Sequence, residues 1–218
     1  MELKNAKINF LGDSITEGYG TSAQDKIYLN VLAKQEGLAA ARNYGVGGTR
    51  IARQHQKSNE VWDEDYLIRA QKMDPDADAV VVFGGTNDFG HGDAPLGHMQ
   101  DRTPETFYGA CHCLIRYLLE KYPHALIVFM TPTHRADEYG MKFNNMGNRI
   151  CGELIDYVNI ILEVAAYYSI PVLDLYRNSG ISPEITAMRE AYMPDGLHPN
   201  DSGHAIIARK LAAFLKQQ

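Results

Sequence analysis

Two short polar segments place side chains that could perform nucleophilic catalysis at opposite ends of the chain. Gly-Asp-Ser-Ile-Thr-Glu-Gly at 12–18 contains Ser14 and directly follows an apolar run, while Asp-Gly-Leu-His-Pro at 195–199 contains Asp195 and His198. A serine, a histidine and a carboxylate can serve as nucleophile, base and base-orienting group. These residue types therefore predict acyl transfer through Ser14.

Each segment alone also has an ordinary structural interpretation. A serine between a strand and a helix, such as Ser14, is more often a helix N-cap than a nucleophile. Asp195 and His198 alone equally fit an Asx-type turn with an incidental histidine. The positive end of a helix would help a serine alkoxide and its oxyanion. The first segment lacks the Gly-x-Ser-x-Gly pattern of the α/β-hydrolases, which disfavours that family.

Two further segments could supply donors to an oxyanion. Asn-Tyr-Gly-Val-Gly-Gly-Thr at 43–49 could present the N–H of Gly48, and Gly-Gly-Thr-Asn-Asp at 84–88 could present the amide of Asn87. Alone, either would be taken as a turn. The glycine turn lacks the lysine and the spacing of a phosphate-binding loop, which weakens a nucleotide-binding interpretation.

The four segments in this order resemble the four sequence blocks of the SGNH hydrolases, also called GDSL esterases and lipases. The resemblance extends over residues 7 to about 210. It implies a flavodoxin-like three-layer α/β/α sandwich, with Ser14 as nucleophile, His198 as base and Asp195 as the partner of that base.

The same resemblance implies an oxyanion hole built from Ser14, Gly48 and Asn87. The position before Gly48 is often serine in the family and is Gly47 here. Gly47 and Gly48 therefore both stand as candidates for the N–H that points inward.

Alternating strands and helices must position these residues. Nearly continuous apolar runs rich in β-branched residues are typical of a parallel sheet buried on both faces. We predict an α/β fold, a three-layer sandwich around a five-stranded, mostly parallel sheet, with ligands beyond the carboxyl ends of the strands. The predicted strands are 7–11, 39–45 (the weakest), 77–84, 125–130 and 170–175. The predicted helices are 25–36, 104–121, 148–168 and 201–216.

One predicted helix shows how its ends and its buried face are inferred. Thr103 is a plausible N-cap, Pro104 suits the first turn, and one stripe is apolar. That stripe is Phe107, Cys111, Leu114, Ile115 and Leu118. The stretches 86–103, 131–147 and 176–200 are predicted to be irregular and to provide substrate walls.

Composition sets limits on the class of protein. The 218 residues, 45% hydrophobic, suffice for one domain over 1–218, and a formal net charge of −6 without a basic patch argues against nucleic-acid binding. The chain shows no signal-like segment and no span of about 18 apolar residues, so we expect a cytoplasmic protein without a membrane partner.

The cysteines predict neither disulfides nor a metal site. Cys111, Cys113 and Cys151 form an odd set without a CxxC pair, which suits reduced thiols. The side chains of Cys111, His112 and Cys113 on one helix would point about 100° apart, so we expect core packing for Cys111, a solvated His112 and no metal. No cofactor is expected.

The expected substrate is a small acyl ester, in particular an acetyl ester, of a polar or carbohydrate alcohol. An acyltransferase, or a lysophospholipase or thioesterase using the same site, is the alternative, and a catalytically idle carbohydrate-binding module is the non-enzymatic one. Homo-oligomerisation stays open. The residues proposed for the substrate cleft are Asp13, Tyr19, Phe89, His134 and Arg135, a mixture of aromatic and polar groups.

Overall fold

A five-stranded parallel sheet organises the residues described by the computed structural model, which are 1–58, 61–139 and 152–218. The strands are Lys7–Gly12 (β1), Ala40–Gly45 (β2), Ala79–Phe83 (β3), Leu126–Met130 (β4) and Val172–Leu173 (β5). Their spatial order is β2, β1, β3, β4, β5, and every neighbouring pair is parallel. This is the flavodoxin-like strand order, which confirms the predicted fold class.

The helices connect consecutive strands and follow the last one. Within the described ranges they are Ser14–Glu17 (α1), Tyr28–Glu36 (α2), Tyr66–Gln71 (α3), Thr86–His91 (α4), Phe107–Lys121 (α5), Leu154–Tyr167 (α6), Leu175–Asn178 (α7), Thr186–Tyr192 (α8) and Asp201–Gln217 (α9). In the same part of the chain, the 3₁₀ turns Gln24–Lys26 and Val61–Asp63 lie in the connections.

Apolar side chains on the two faces of the sheet form two cores. Alternate residues of a strand point to opposite faces, so Val80 and Val82 of β3 pack with α3, α5 and α6, while Val81 and Phe83 pack with α2 and α9. All five residues of β3 are buried. Burial on both faces explains why this strand is continuously apolar, and it gives the three layers of the sandwich.

Two local expectations are corrected. The N-cap of α5 is Thr106 instead of Thr103, because the Thr106 hydroxyl accepts the backbone N–H of Gly109 at 3.1 Å. His112 is fully buried instead of solvated. Its two ring nitrogens lie 3.0 Å from the Tyr168 hydroxyl and 3.0 Å from the Met99 carbonyl, so burial leaves neither unpaired.

Two of the three stretches predicted to be irregular contain short helices in the described residues. Helix α4 lies at the start of the first stretch, and α7 and α8 lie in the third. In the second, residues 131–139 form no helix or strand, and 140–147 lie outside the described residues. The predicted start of the third helix segment at 148 and the thiol of Cys151 also lie outside them. Across the described ranges, no helix is both long and apolar enough to cross a membrane.

Candidate active site

Ser14 lies where β1 ends and α1 begins, at the carboxyl edge of the sheet. Asp13 caps α1, since its carboxylate accepts the backbone N–H of Ile15 at 3.0 Å. The cap therefore belongs to Asp13, and Ser14 occupies the first helical position with its hydroxyl available. Ser14 Oγ lies 2.9 Å from Nε2 of His198.

Asp195 holds the other side of the His198 ring. Asp195 Oδ2 lies 2.7 Å from His198 Nδ1, and Oδ1 accepts the backbone N–H groups of Leu197 at 2.8 Å and His198 at 2.7 Å. Burial acts to raise the pKa of Asp195, but the bonds from His198 and Leu197 outweigh burial and lower that pKa below its ordinary value. An ionised Asp195 can only accept, which places the ring hydrogen on Nδ1 and leaves Nε2 free to accept from Ser14.

The loop after α1 packs against the His198 segment. The Tyr19 ring is 63% exposed, and its centre lies 4.4 Å from the centre of the His198 ring. Gly20 allows this approach, since a Cβ there would lie 2.5 Å from the Pro199 carbonyl oxygen and 3.1 Å from His198 Cβ. Contact between the two loops holds the imidazole over Ser14.

The glycine turn after β2 lies beside Ser14, because a Cβ added at Gly47 would be 3.6 Å from Ser14 Cβ. The Gly47 N–H donates to the Glu17 carboxylate at 2.7 Å. The Gly48 N–H makes no hydrogen bond with any described residue, and its φ of +73° is a left-handed value that favours glycine. Of the two candidates, Gly48 is therefore the one whose N–H is available to a substrate oxygen.

Asn87 lies in the first turn of α4, directly beyond the end of β3, and is buried. Its Nδ2 donates to the carbonyl of Thr49 at 3.1 Å, so the amide is attached to the glycine turn. Because β1 pairs with both β2 and β3, the ends of these strands bring Ser14, Gly48 and Asn87 to one edge of the sheet.

Buried charged residues that the sequence analysis did not single out bind these loops together. The Arg69 guanidinium donates to the Gly12 carbonyl at 2.9 Å, to the Thr49 hydroxyl at 2.7 Å and to the Tyr44 carbonyl. The Asp88 carboxylate accepts the backbone N–H groups of Ile51 at 3.0 Å and Ala52 at 2.9 Å. Burial raises the pKa of Asp88 to about 6 against these stabilising bonds. The indication of a role for Asp88 in the sequence was its position directly after Asn87.

The residues predicted to line a substrate cleft divide into two groups. Asp13 and Phe89 are almost fully buried, with Asp13 engaged as the α1 cap and Phe89 packed in the core, 6.2 Å between ring centres from Tyr157. Their positions do not support the expectation of cleft walls, because neither side chain reaches solvent. Burial raises the pKa of Asp13 to about 7.

Tyr19, His134 and Arg135 are partly or largely exposed. His134 Nδ1 lies 2.8 Å from the buried Glu138 carboxylate. Arg135 Nη1 donates to the Thr86 carbonyl at 3.0 Å, and the guanidinium lies 5.4 Å from the centre of the Phe89 ring.

A polar cleft of about 350 Å³ opens beside the loop that carries Asp195. The Ala136 N–H, at the wall of this polar cleft, donates to the Gly196 carbonyl at 2.7 Å and so attaches the wall to that loop. The side chains that define the polar cleft are Arg135, Asp137, Glu138, Tyr139, Glu184 and Arg189. All six carry a charge or a hydrogen-bonding group, and Ala136 and Pro183 complete the lining.

No group of three or more His, Cys, Asp or Glu residues with metal-binding geometry occurs within residues 1–58, 61–139 and 152–218. The described site consists of a hydroxyl, an imidazole, a carboxylate and neutral N–H donors. Such a set can transfer an acyl group with the protein's own side chains.

Comparisons with known proteins show the family of this chain and agree with its fold. The model of the family described as GDSL-like Lipase/Acylhydrolase matches residues 10–206. A solved structure from Lactobacillus plantarum is 34% identical, with a TM-score of 0.84, and the match covers 99% of this chain and 98% of that one. A possible lipase from Chitinophaga pinensis is 25% identical, with a TM-score of 0.70 and coverage of 97% and 98%.

An acetyl xylan esterase shares 19% identity and a TM-score of 0.65, with coverage of 96% of this chain and 99% of that one, which is a likeness of fold alone. A search of curated protein sequences found no match.

Proposed function

Because this chain belongs to the GDSL-like lipase/acylhydrolase family, we propose that it is a serine esterase that hydrolyses small acyl esters, in particular acetyl esters, of a polar or carbohydrate alcohol. The observation that carries the proposal is the continuous series of hydrogen bonds from Ser14 Oγ through His198 to Asp195, 2.9 Å and 2.7 Å long. An idle binding module would have no need of this aligned series.

The reaction has two halves. In the first, His198 Nε2 takes the proton of the Ser14 hydroxyl as Oγ attacks the ester carbonyl carbon. The tetrahedral oxyanion is stabilised by the Gly48 N–H, the Asn87 amide and the backbone N–H of Ser14 at the start of α1. When the carbon–oxygen bond breaks, the leaving alcohol takes the proton from His198, and the acyl group stays on Ser14.

In the second half, His198 removes a proton from water, and the resulting hydroxide attacks the acyl carbonyl. Collapse of this second tetrahedral intermediate breaks the bond to Ser14 Oγ, which regains its proton from His198. The carboxylic acid leaves. An alcohol acceptor in place of water would give acyl transfer with the same residues.

The polar cleft beside Asp195 supports a polar alcohol as the leaving group. Guanidinium groups of Arg135 and Arg189 and carboxylates of Asp137 and Glu184 face a volume sufficient for a sugar-sized group. Burying a long alkyl group of the alcohol against these charged side chains would leave the charges without solvent, at a cost that polar hydroxyl groups avoid.

The first experiment is Ser14→Ala, assayed with 4-nitrophenyl acetate. We expect loss of essentially all activity, since the nucleophile is removed, with circular dichroism and the thermal midpoint unchanged. Ser202→Ala is a matched control, because Ser202 is an exposed serine in the first turn of α9 and has no part in the proposed chemistry. A Ser14→Ala protein that keeps most of the wild-type rate would refute the esterase assignment.

The second experiment is a series of 4-nitrophenyl esters from acetate to decanoate, followed by acetylated oligosaccharides with and without alcohol acceptors. We expect kcat/KM to be highest for acetate and acetate to be released from the oligosaccharides. Better rates on chains of eight or more carbons would contradict the small-acyl part of the proposal. An acylated acceptor as the main product would identify a transferase.

A further inference from the structure

Asn87 and His91 lie one helical turn apart on α4 and are joined by a hydrogen bond. His91 Nε2 lies 3.1 Å from Asn87 Oδ1. Both side chains are at the carboxyl edge of the sheet, and Asn87 is 5% exposed. An imidazole that contacts the amide assigned to the oxyanion hole can influence how that amide points.

Arg50 decides which nitrogen of His91 carries hydrogen. Arg50 Nη1 lies 2.8 Å from His91 Nδ1, and a guanidinium can only donate, so Nδ1 accepts. Burial foremost, and then the charges of Arg50 and Arg135, lower the pKa of His91 to about 4, while Asp63 acts in the opposite direction. The ring is therefore neutral at physiological pH, with its one hydrogen on Nε2, facing Asn87.

This hydrogen determines the orientation of the Asn87 amide. The atom that faces His91 must accept, so it is the oxygen, and the NH₂ group lies on the opposite side. One of its two N–H bonds goes to the Thr49 carbonyl at 3.1 Å. The other N–H stays available to an oxyanion, and a rotation of the amide by 180° would place a donor against the donor of His91.

Arg50 is itself held by an ion pair beneath the site. Its Nη2 lies 2.8 Å from Asp63 Oδ1, and both side chains are less than a tenth exposed. The same Nη2 donates to the carbonyl of Trp62 at 3.3 Å. Because the guanidinium is fixed from the far side, the His91 tautomer is fixed as well.

We propose that His91, held by Arg50, is a positioning residue that orients Asn87 for oxyanion stabilisation. The proposal rests on the proposed esterase function. Asp63 accepts a hydrogen bond from Arg50, which donates to His91 Nδ1. His91 Nε2 in turn donates to Asn87 Oδ1, so the four residues form one series. The result is that the free N–H of the Asn87 amide is directed at the oxyanion of the transition state.

The test is a double-mutant cycle with 4-nitrophenyl acetate. Asn87→Ala should lower kcat by about 100-fold to 1000-fold, as loss of one oxyanion donor does. His91→Leu should lower kcat by about 10-fold to 100-fold because the donor remains but is misoriented, with KM little changed. In the double variant, kcat should be no lower than in Asn87→Ala, because His91 acts through Asn87. His91→Gln, which can still donate to Oδ1, should lie closer to wild type than His91→Leu.

His112→Ala is the matched control, since His112 is also buried with both nitrogens bonded but lies on α5. It should lower the thermal midpoint without changing kcat per folded molecule. If His91→Leu lowered kcat by the same factor in the wild-type and Asn87→Ala backgrounds, the proposal would be overturned. Such additivity is expected of a residue that acts independently of Asn87. An unchanged kcat in Asn87→Ala would also overturn it, while leaving the esterase function intact. Only an active Ser14→Ala protein would remove that function.

Discussion

Replacing Asp195 with asparagine tests the proposed base through a single change of hydrogen-bonding character. Asp195 Oδ1 accepts two backbone N–H groups, from Leu197 and His198, while Oδ2 faces His198 Nδ1. In the asparagine variant the amide oxygen must occupy the Oδ1 position, because an NH₂ there would face two donors. The amide nitrogen is then directed at His198 Nδ1.

An N–H that faces Nδ1 stabilises the tautomer with the hydrogen on Nε2. Nε2 then faces Ser14 Oγ as a donor at the 2.9 Å contact and cannot take the serine proton. In serine proteases the equivalent change lowers kcat by about 10⁴-fold, or about 5.5 kcal/mol of transition-state stabilisation. We expect a loss of that order here, since the two backbone donors allow only one amide orientation.

The assay is kcat for 4-nitrophenyl acetate at pH 7.5, with the urea midpoint measured in parallel. Asp78→Asn is the matched control, because Asp78 also accepts a backbone N–H, from Lys7 at 2.7 Å, but precedes β3 at the opposite edge of the sheet. A fall of less than tenfold in a folded Asp195→Asn protein would refute the tautomer argument.

Two further predictions concern Asp13 and Phe89, which the sequence analysis assigned to the substrate cleft and which are buried in the structure. Burial raises the pKa of Asp13 from 3.8 to about 7, so the folded state retains a proton that the unfolded state releases, and stability falls as pH rises from 4 to 7. Asp13→Asn keeps the acceptor for the Ile15 N–H and removes this ionisation. The difference in free energy of unfolding between the variant and the wild type, measured in urea titrations, should rise in favour of the variant by up to about 4 kcal/mol from pH 4 to pH 8. A difference that does not depend on pH would contradict this prediction. Phe89→Leu should cost about 1 to 2 kcal/mol of stability by the same titration and leave KM for acetyl esters unchanged, whereas an altered KM with unchanged stability would return Phe89 to the cleft.

The fold was predictable because its signals are local and periodic. The runs that became β3 and β4 are apolar over five residues, and burial on both faces requires that pattern in a parallel sheet. The buried stripe on α5 was predicted for the same reason. Its N-cap was misplaced because both Thr103 and Thr106 have a suitable hydroxyl, and only the path of the chain selects between them.

The residues of the candidate site that were not predicted from the sequence are those that depend on contacts between distant segments. His91 and Asn87 are four residues apart, but nothing in that spacing shows that Arg50 lies 2.8 Å from the other side of the imidazole. Arg69 likewise joins the end of β1 to the 43–49 segment from a helix that the sequence pattern did not predict. Such charges become informative only when burial removes the water that would otherwise bind them.

The sequence by itself determined the class of fold, the family and the four segments that carry Ser14, Gly48, Asn87 and the Asp195 to His198 turn. It did so because residue type and order are sufficient to recognise a strand, a turn and a nucleophile. Only the tertiary structure decided which side chains face one another: which glycine offers its N–H, which predicted cleft residues are buried, and which groups orient His198 and Asn87. Hydrogen bonds depend on distances of a few tenths of an ångström between residues far apart in the chain, and those distances are set by the packing of the sheet.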